Sequence, residues 1–211
     1  MDIAVLLYER LTALDAIGPY EVLSRLPGST LTFVGDKAGP VRTDNGRLSL
    51  VADASIDELP NPGIVLVPGG PGQIALMDDE RILSWLRTAD ETTEWTTSVC
   101  TGSLILGAAG LLKGKRATTH WLAMDQLEDL GAEPTSERVV FDGKVVTAAG
   151  VSAGIDMALR LLAEIAGDDM AQAIQLGIEY DPQPPFDAGS PTKAPAAIVD
   201  FLRENSRFVM S

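Results

Sequence analysis

The chain has 211 residues, of which 45% are hydrophobic and 22% are charged, and its formal net charge is −14. The apolar fraction is sufficient for a substantial buried core, and we predict one domain over residues 1–211. The negative charge argues against nucleic acid and anionic membrane surfaces as partners, because both are bound through clustered Lys and Arg.

The sequence contains one cysteine, Cys100, and one histidine, His120. A single cysteine cannot form an internal disulfide and fits a reducing compartment, so we expect a cytoplasmic protein. One Cys and one His do not supply the usual soft-ligand set, so no metal site is predicted. The N-terminus has no basic region or cleavage site, and no apolar run reaches about 18 residues; we therefore expect neither a signal peptide nor a membrane span.

Apolar runs alternate with amphipathic segments from one end of the chain to the other. Continuous apolar runs predict strands buried on both faces, and spacings of three and four residues predict helices. The predicted strands are 3–8, 30–35, 64–67 and 95–100, with hairpins at 41–51 and 139–147 and a short strand or strand end at 117–121. The predicted helices are 14–24, 79–89, 104–112, 122–130, 152–166, 168–180 and 196–204. This alternation indicates an α/β fold, a doubly wound, mostly parallel sheet flanked by helices.

A glycine-rich loop, PGGPG at 68–72, follows the predicted strand 64–67. Such a loop is the usual binding edge of an open parallel sheet. It is not GxGxxG, and no acidic residue follows at the spacing a ribose needs, so a dinucleotide site is only weakly supported. The other interpretation is that Gly69 and Gly70 let backbone N–H groups approach a reacting atom closely.

Cys100 falls at a predicted turn between a β-branched strand and an Ala- and Gly-rich helix. A turn of this kind places a side chain over the first helical N–H groups, which favour a negative sulfur. We therefore interpret Cys100 as a nucleophile at an elbow, with a lowered thiol pKa. The simpler alternative is a small buried residue, because free Cys is among the most buried residue types.

Asp15, the loop at Gly69 and Gly70, and Cys100 all follow predicted strands, so they converge at one edge of the sheet. Asp15 alone would be interpreted as a carboxylate that complements a helix dipole. Taken together, LDAIGPYEVL, LVPGGPG, SVCTGSLILGAAGLL and ATTHW resemble the ThiJ/PfpI family of the class I glutamine amidotransferase-like superfamily. The resemblance extends from Ile3 to about Gly177.

The resemblance assigns roles to four residues. Cys100 matches the elbow cysteine, Asp15 the acidic residue that hydrogen-bonds it, and Gly70 the loop glycine whose N–H faces the sulfur. Thr101 matches a threonine that assists catalysis in the isonitrile hydratases of this family. Peptidase members carry a histidine at that place, which argues against peptidase activity here. The resemblance also implies a homodimer and no cofactor.

His120 and Trp121 follow Cys100 by about twenty residues, and Gly150 and Val151 follow the second predicted hairpin. With Gly69 they are candidate pocket residues, although packing in the core accounts for them equally well. AraC-like regulators of the family share the TTHW run and add a DNA-binding module. We expect that module to be missing from this acidic chain.

The implied reaction is hydration of a small-molecule isonitrile to an N-substituted formamide. In the expected resting state, Cys100 is a thiolate beside a protonated Asp15, since two adjacent negative charges are costly. The thiolate attacks the isonitrile carbon, Asp15 supplies the proton, and a thioimidate forms.

Two alternatives remain open from the sequence. One is a redox or stress-response protein in which Cys100 is oxidised. The other is a glyoxalase- or deglycase-type enzyme that relies on His120.

Overall fold

The computed structural model describes residues 1–206, which are built around a seven-stranded sheet. Two further pairs of short strands lie outside this sheet, β3 with β4 and β8 with β9. The strands in chain order are β1 Asp2–Leu6, β2 Thr30–Gly35, β3 Gly39–Arg42, β4 Ser49–Ala52, β5 Ala54–Ser55, β6 Ile64–Val67, β7 Trp95–Val99, β8 Arg116–Ala117, β9 Glu133–Pro134, β10 Val139–Asp142 and β11 Val145–Ala148.

The strand order in the main sheet is β10-β11-β7-β6-β1-β2-β5. Every pairing is parallel except that of β10 with β11. All four residues of β6 are buried, as are four of the five in β1 and in β7. Burial on both faces explains why these strands read as continuous apolar runs.

Helices form two layers around the sheet. They are α1 Ala13–Leu23, α2 Gln73–Leu76, α3 Glu80–Thr92, α4 Gly102–Ala108, α5 Met124–Asp129, α6 Ala153–Ala166, α7 Asp168–Gly177 and α8 Ala196–Glu204. Helix α6 packs against α1 and α7, whereas α4 packs against α2, α3 and α5. The start of α3 is set by Asp79, whose side chain accepts the N–H groups of Arg81 and Ile82. The prediction of a mostly parallel α/β sheet flanked by helices is confirmed.

The sequence-based boundaries differ from the structure in a few places. Helix α4 starts two residues earlier than predicted and ends at Ala108 rather than Leu112, since turns follow at the glycine-containing segment 109–114. The predicted strand 117–121 is reduced to β8, and a 3₁₀ turn, Trp121–Ala123, precedes α5. Residues 207–211, part of the predicted domain, lie outside the described residues. Within residues 1–206 no helix has the length and apolar content needed to cross a bilayer.

The topology switches direction at β1. From β1 the chain proceeds to β2 on one side, whereas β6, β7 and β11 lie in order on the other side. In an open α/β sheet, the crevice at such a switch point, beyond the carboxyl ends of the strands, is where ligands bind. Asp15, Gly69, Cys100 and Val151 follow β1, β6, β7 and β11 respectively, so four neighbouring strands deliver them to one place.

Candidate active site

Cys100 forms a sharp turn between β7 and α4. Its φ is +56°, a left-handed conformation that costs a non-glycine residue energy. The turn is held by its backbone: the Cys100 N–H lies 3.0 Å from the carbonyl oxygens of both Ala148 and Ala149, and its carbonyl accepts the Thr119 hydroxyl at 3.0 Å. The predicted cysteine elbow is therefore present.

Two backbone amides, those of Thr101 and Val151, donate to the Cys100 sulfur and lower its pKa. Their effect is outweighed by burial, because Cys100 has no exposed surface. Burial raises the pKa of the thiol well above its ordinary value, and the charge of Asp15 raises it further. The expectation of a lowered thiol pKa was wrong, since it took account of the helix terminus but not of complete desolvation.

Asp15 is completely buried in the first turn of α1. Burial raises its pKa from 3.8 to about 7, despite lowering contributions from the Gly69 N–H and the Cys100 thiol. Asp15 Oδ2 accepts the Gly69 N–H at 3.0 Å. Oδ1 has no well-aligned hydrogen-bond partner among residues 1–206. A hydrogen bond with the Cys100 thiol lowers the pKa of Asp15, the charge of Asp15 raises the pKa of the thiol, and Oδ1 can carry a proton.

The glycine loop brings Asp15 and Thr101 together. A Cβ on Gly69 would lie 2.5 Å from the Thr101 nitrogen and 2.9 Å from Asp15 Oδ2, so only glycine fits between them. The Gly70 N–H donates to Thr101 Oγ1 at 2.9 Å. We expected this N–H to face the sulfur; instead it fixes the threonine hydroxyl, and the amides at the sulfur are those of Thr101 and Val151.

A cleft of about 540 Å³ lies next to the elbow. Its wall includes Ala149, Gly150 and Val151, the turn that supplies one of the amides at the sulfur. Cys100, Asp15 and Thr101 do not line the cleft, and all three are fully buried. The thiol therefore lies behind this turn. Gly69, which we expected as a pocket residue, is also buried away from the cleft, because it fills the gap between Asp15 and Thr101.

His120 and Trp121 lie on the cleft wall beside Gly150. The His120 ring packs against the glycine, since a Cβ on Gly150 would come within 2.8 Å of His120 Cδ2. Its Nδ1 accepts the Leu122 N–H at 3.3 Å, and its ring stacks on that of Trp121 at 6.0 Å. These contacts orient the imidazole along the cleft wall.

The sequence analysis did not identify two residues near Cys100 and Asp15, namely Tyr8 and Asp44. Tyr8 is buried, its hydroxyl donates to the Pro68 carbonyl at 2.9 Å, and its pKa is raised by burial and by the charges of Asp15 and Cys100. Asp44 comes from the turn between β3 and β4; it accepts the Thr12 hydroxyl at 3.2 Å, and its charge raises the pKa of Asp15. Tyr8 was detectable, because it is a polar residue at the carboxyl end of a buried strand.

No group of three or more His, Cys, Asp or Glu side chains within the described residues could hold a metal ion. The groups assigned to the reaction are the Cys100 thiol, the Asp15 carboxyl and the Thr101 hydroxyl, and backbone amides surround them.

Comparison with known proteins places this site in a family. The sequence profile of the DJ-1/PfpI family matches residues 1–164. The chain belongs to the DJ-1/PfpI family. Its sequence is 47% identical over 206 residues to an isonitrile hydratase of Pseudomonas putida, a match that covers 98% of this chain and 90% of that protein.

Two other proteins show how far the similarity to this chain extends. A ThiJ/PfpI family protein from Pseudomonas syringae has a crystal structure that superposes with a TM-score of 0.94 at 40% identity, covering 97% of this chain and 85% of that one. The HTH-type transcriptional regulator CdhR of Pseudomonas aeruginosa is 30% identical over 74% of this chain, but the match spans only 47% of the regulator. The resemblance found in the sequence motifs is confirmed.

Proposed function

We propose that this chain is an isonitrile hydratase, which converts an isonitrile and water to an N-substituted formamide. The observation that carries the proposal is the buried pair of Cys100 and Asp15, whose raised pKa values keep at least one proton on the pair at neutral pH. The carbon of an isonitrile must accept both a nucleophile and a proton, and this pair supplies both. The 47% identity to a hydratase over nearly the whole chain supports the same conclusion.

In the first step, the Cys100 sulfur forms a bond to the terminal carbon of R–N≡C. The proton shared by Cys100 and Asp15 passes through the carboxyl group to the same carbon. The products are a thioimidate, Cys–S–CH=N–R, and a carboxylate on Asp15. This sequence accommodates the raised thiol pKa, because Asp15 takes the thiol proton as the sulfur attacks.

In the second step, the Asp15 carboxylate takes a proton from water while the hydroxide adds to the thioimidate carbon. Asp15 then returns that proton to the nitrogen. Collapse of the tetrahedral intermediate gives the O–H proton back to Asp15, expels the sulfur and releases R–NH–CHO. One water is consumed, and the pair regains its single proton.

The surrounding donors have separate tasks in this scheme. The N–H groups of Thr101 and Val151 stabilise the sulfur when it leaves as a thiolate. Thr101 Oγ1 accepts the Gly70 N–H at 2.9 Å and donates to the Gly70 carbonyl oxygen at 3.5 Å, a long hydrogen bond that the hydroxyl can exchange for one to the attacking water. Thr101 thus assists the second step, and Gly70 acts by positioning it rather than as an oxyanion donor.

Access to the sulfur requires a movement. Cys100 has no exposed surface, and the turn Ala149–Val151 stands between it and the cleft. We propose that this turn shifts far enough to open the sulfur to a small molecule held in the cleft.

The structure argues against the redox-sensor alternative but not against the glyoxalase-type alternative. A redox sensor requires an exposed thiolate with a low pKa, whereas Cys100 is buried and its thiol pKa is raised. A glyoxalase-type activity remains a candidate because His120 lies on the cleft. Methylglyoxal conversion that is lost in His120→Ala would support it over the hydratase.

We also propose a cytoplasmic homodimer. A cysteine nucleophile persists in a reducing compartment. Large apolar side chains are exposed in the C-terminal part of the described chain, and a second copy would cover them; they are Leu176, Phe186, Ile198, Phe201 and Leu202. A monomer mass by light scattering would contradict the dimer.

The test is a formamide assay with an alkyl and an aryl isonitrile, run on the native chain and on Cys100→Ala. We expect formamide from the native chain and none above background from the variant. Formation of formamide by Cys100→Ala at a near-native rate would overturn the mechanism. Absence of formamide from the native chain with both substrates would overturn the proposed function.

A further inference from the structure

Part of the cleft is built by residues that lie beyond the segment matched by the family profile. The DJ-1/PfpI profile matches residues 1–164, yet Gly189, Ser190, Pro191 and Thr192 line the cleft. The proline-rich segment 181–195 that contains them lies between α7 and α8. The pocket therefore combines an inner wall from the family fold and an outer wall from the C-terminal part of the chain.

The outer wall has its own internal structure. The backbone N–H groups of Lys193 and Ala194 both donate to the Ser190 carbonyl, at 3.0 and 2.9 Å, which closes a turn. Within the turn the hydroxyls of Ser190 and Thr192 are 3.1 Å apart. Lys193 Nζ also forms a salt bridge with Asp187 Oδ1 at 2.7 Å within the same segment. These bonds give the wall a defined shape despite its exposure.

Helix α8, which follows this turn, contacts Trp121, a residue of the inner wall. Val199 is its buried anchor. The guanidinium carbon of Arg203 lies 5.8 Å from the centre of the Trp121 ring, within the range of a cation–π contact. The outer wall is therefore connected to the inner wall at Trp121 as well as through the chain.

The geometry of an isonitrile directs its substituent toward this wall. The R–N≡C unit is linear, so a molecule whose carbon meets Cys100 behind the Ala149–Val151 turn has R pointing away from the sulfur. The cleft outside that turn is lined by Trp121 and Met124 and by Ser190–Thr192. A substituent larger than a few atoms must occupy the space between them.

We propose that the segment Gly189–Thr192 is a specificity-determining wall that sets the size of the R group accepted by the enzyme. This inference rests on the proposed hydratase function. Ser190 and Thr192 are small, so the native wall leaves room for a ring, and the buried chemistry is unaffected by what the wall admits.

The test compares 2-naphthyl isonitrile with methyl isonitrile on the native chain and on Ser190→Phe. We expect the ratio of kcat/KM for the naphthyl over the methyl substrate to fall by about tenfold or more, since steric fit in a pocket discriminates on that scale. The loss should appear mainly in KM, because the reacting groups are untouched. Gln183→Phe is the matched control: Gln183 is exposed in the same segment but does not line the cleft, so the ratio should stay native.

A second variant and a second readout keep the two proposals separable. Thr192→Phe should lower the ratio in the same direction, and its circular dichroism and melting temperature show whether it is folded. Alkylation of Cys100, the sole cysteine, by N-ethylmaleimide and by pyrene maleimide can be followed by intact mass without any turnover. Ser190→Phe should slow the pyrene reagent selectively.

Suppose that the native chain makes no formamide but Ser190→Phe still selectively slows the alkylation of Cys100 by pyrene maleimide. The size-selecting role of Gly189–Thr192 is then supported and the hydratase function is contradicted. If the native chain is active, but neither variant changes the kcat/KM ratio of the two isonitriles or the alkylation ratio of the two maleimides, the size-selecting role of the segment is contradicted. An equal change with Gln183→Phe would also overturn it.

Discussion

The two sides of the cleft are built in opposite ways. The inner side includes the turn Ala149–Val151 after β11, and the reacting groups Asp15, Cys100 and Thr101 are fully buried behind it. The outer side is a short turn, Gly189–Thr192, in an exposed proline-rich segment. The inner side lies within the family profile and the outer side lies beyond it.

This difference separates chemistry from selectivity. Moving a proton between two groups requires them to be held firmly and kept dry, which the parallel strands provide. Discriminating between substituents requires only a surface of suitable shape, and loops vary at little cost to the fold. Substitutions on the two sides should therefore change different kinetic parameters.

The largest effect expected on the inner side, short of removing the sulfur, is that of Asp15→Asn. The amide can still accept the Gly69 N–H, but it cannot carry a proton between the thiol, the carbon and water. Formamide production should fall by at least ~100-fold, the usual scale of acid–base assistance. Intact-mass alkylation should show that Cys100 remains reachable. A variant within tenfold of the native rate would remove Asp15 from the mechanism.

The pH dependence of kcat/KM tests the same pair without a substitution. Asp15 must be ionised to accept the thiol proton, and its pKa is about 7. Below that pH the pair holds two protons, so kcat/KM should fall about tenfold per pH unit. Stopped assays from pH 5 to 8 measure this. A flat profile, or one that rises toward acid, is incompatible with the scheme.

A smaller effect is expected for Thr101→Val. Valine keeps the shape but removes the hydroxyl that accepts the Gly70 N–H, which leaves a buried donor unpaired and the water unoriented. We expect about a tenfold loss in kcat, because the hydrogen bond that orients the water contributes roughly 1–1.5 kcal/mol. Thr101→Ser retains the hydroxyl and should stay within a few-fold of native. Equal losses in the two variants would mean that packing, not hydrogen bonding, explains Thr101.

Most of the sheet could be predicted from the sequence. The boundaries of β6 follow from its apolar run, those of β2 from its β-branched and aromatic residues, and the elbow follows from the change in composition at Cys100. These signals are local, because burial on both faces of a strand leaves a continuous hydrophobic pattern.

The errors concern properties that depend on distant parts of the chain. The partner of the Gly70 N–H depends on how the loop after β6 meets the start of α4, and the thiol pKa depends on complete burial. Asp44 reaches the site because a bridge between Leu11 and Thr43 joins the β3–β4 turn to the loop after β1. The outer wall could not be inferred, since Ser190 and Thr192 carry no motif.

The raised pKa of Asp15 makes the folding stability of the protein depend on pH. An unfolded chain releases the Asp15 proton near pH 3.8, whereas the folded protein holds it until about pH 7. Folding is therefore most favoured by this group in acid, and that advantage is lost as pH rises between those values; the full difference is roughly 4 kcal/mol. At neutral pH the Asp15 carboxyl therefore destabilises the folded protein. An amide at position 15 would make the protein more stable, but it could not transfer a proton.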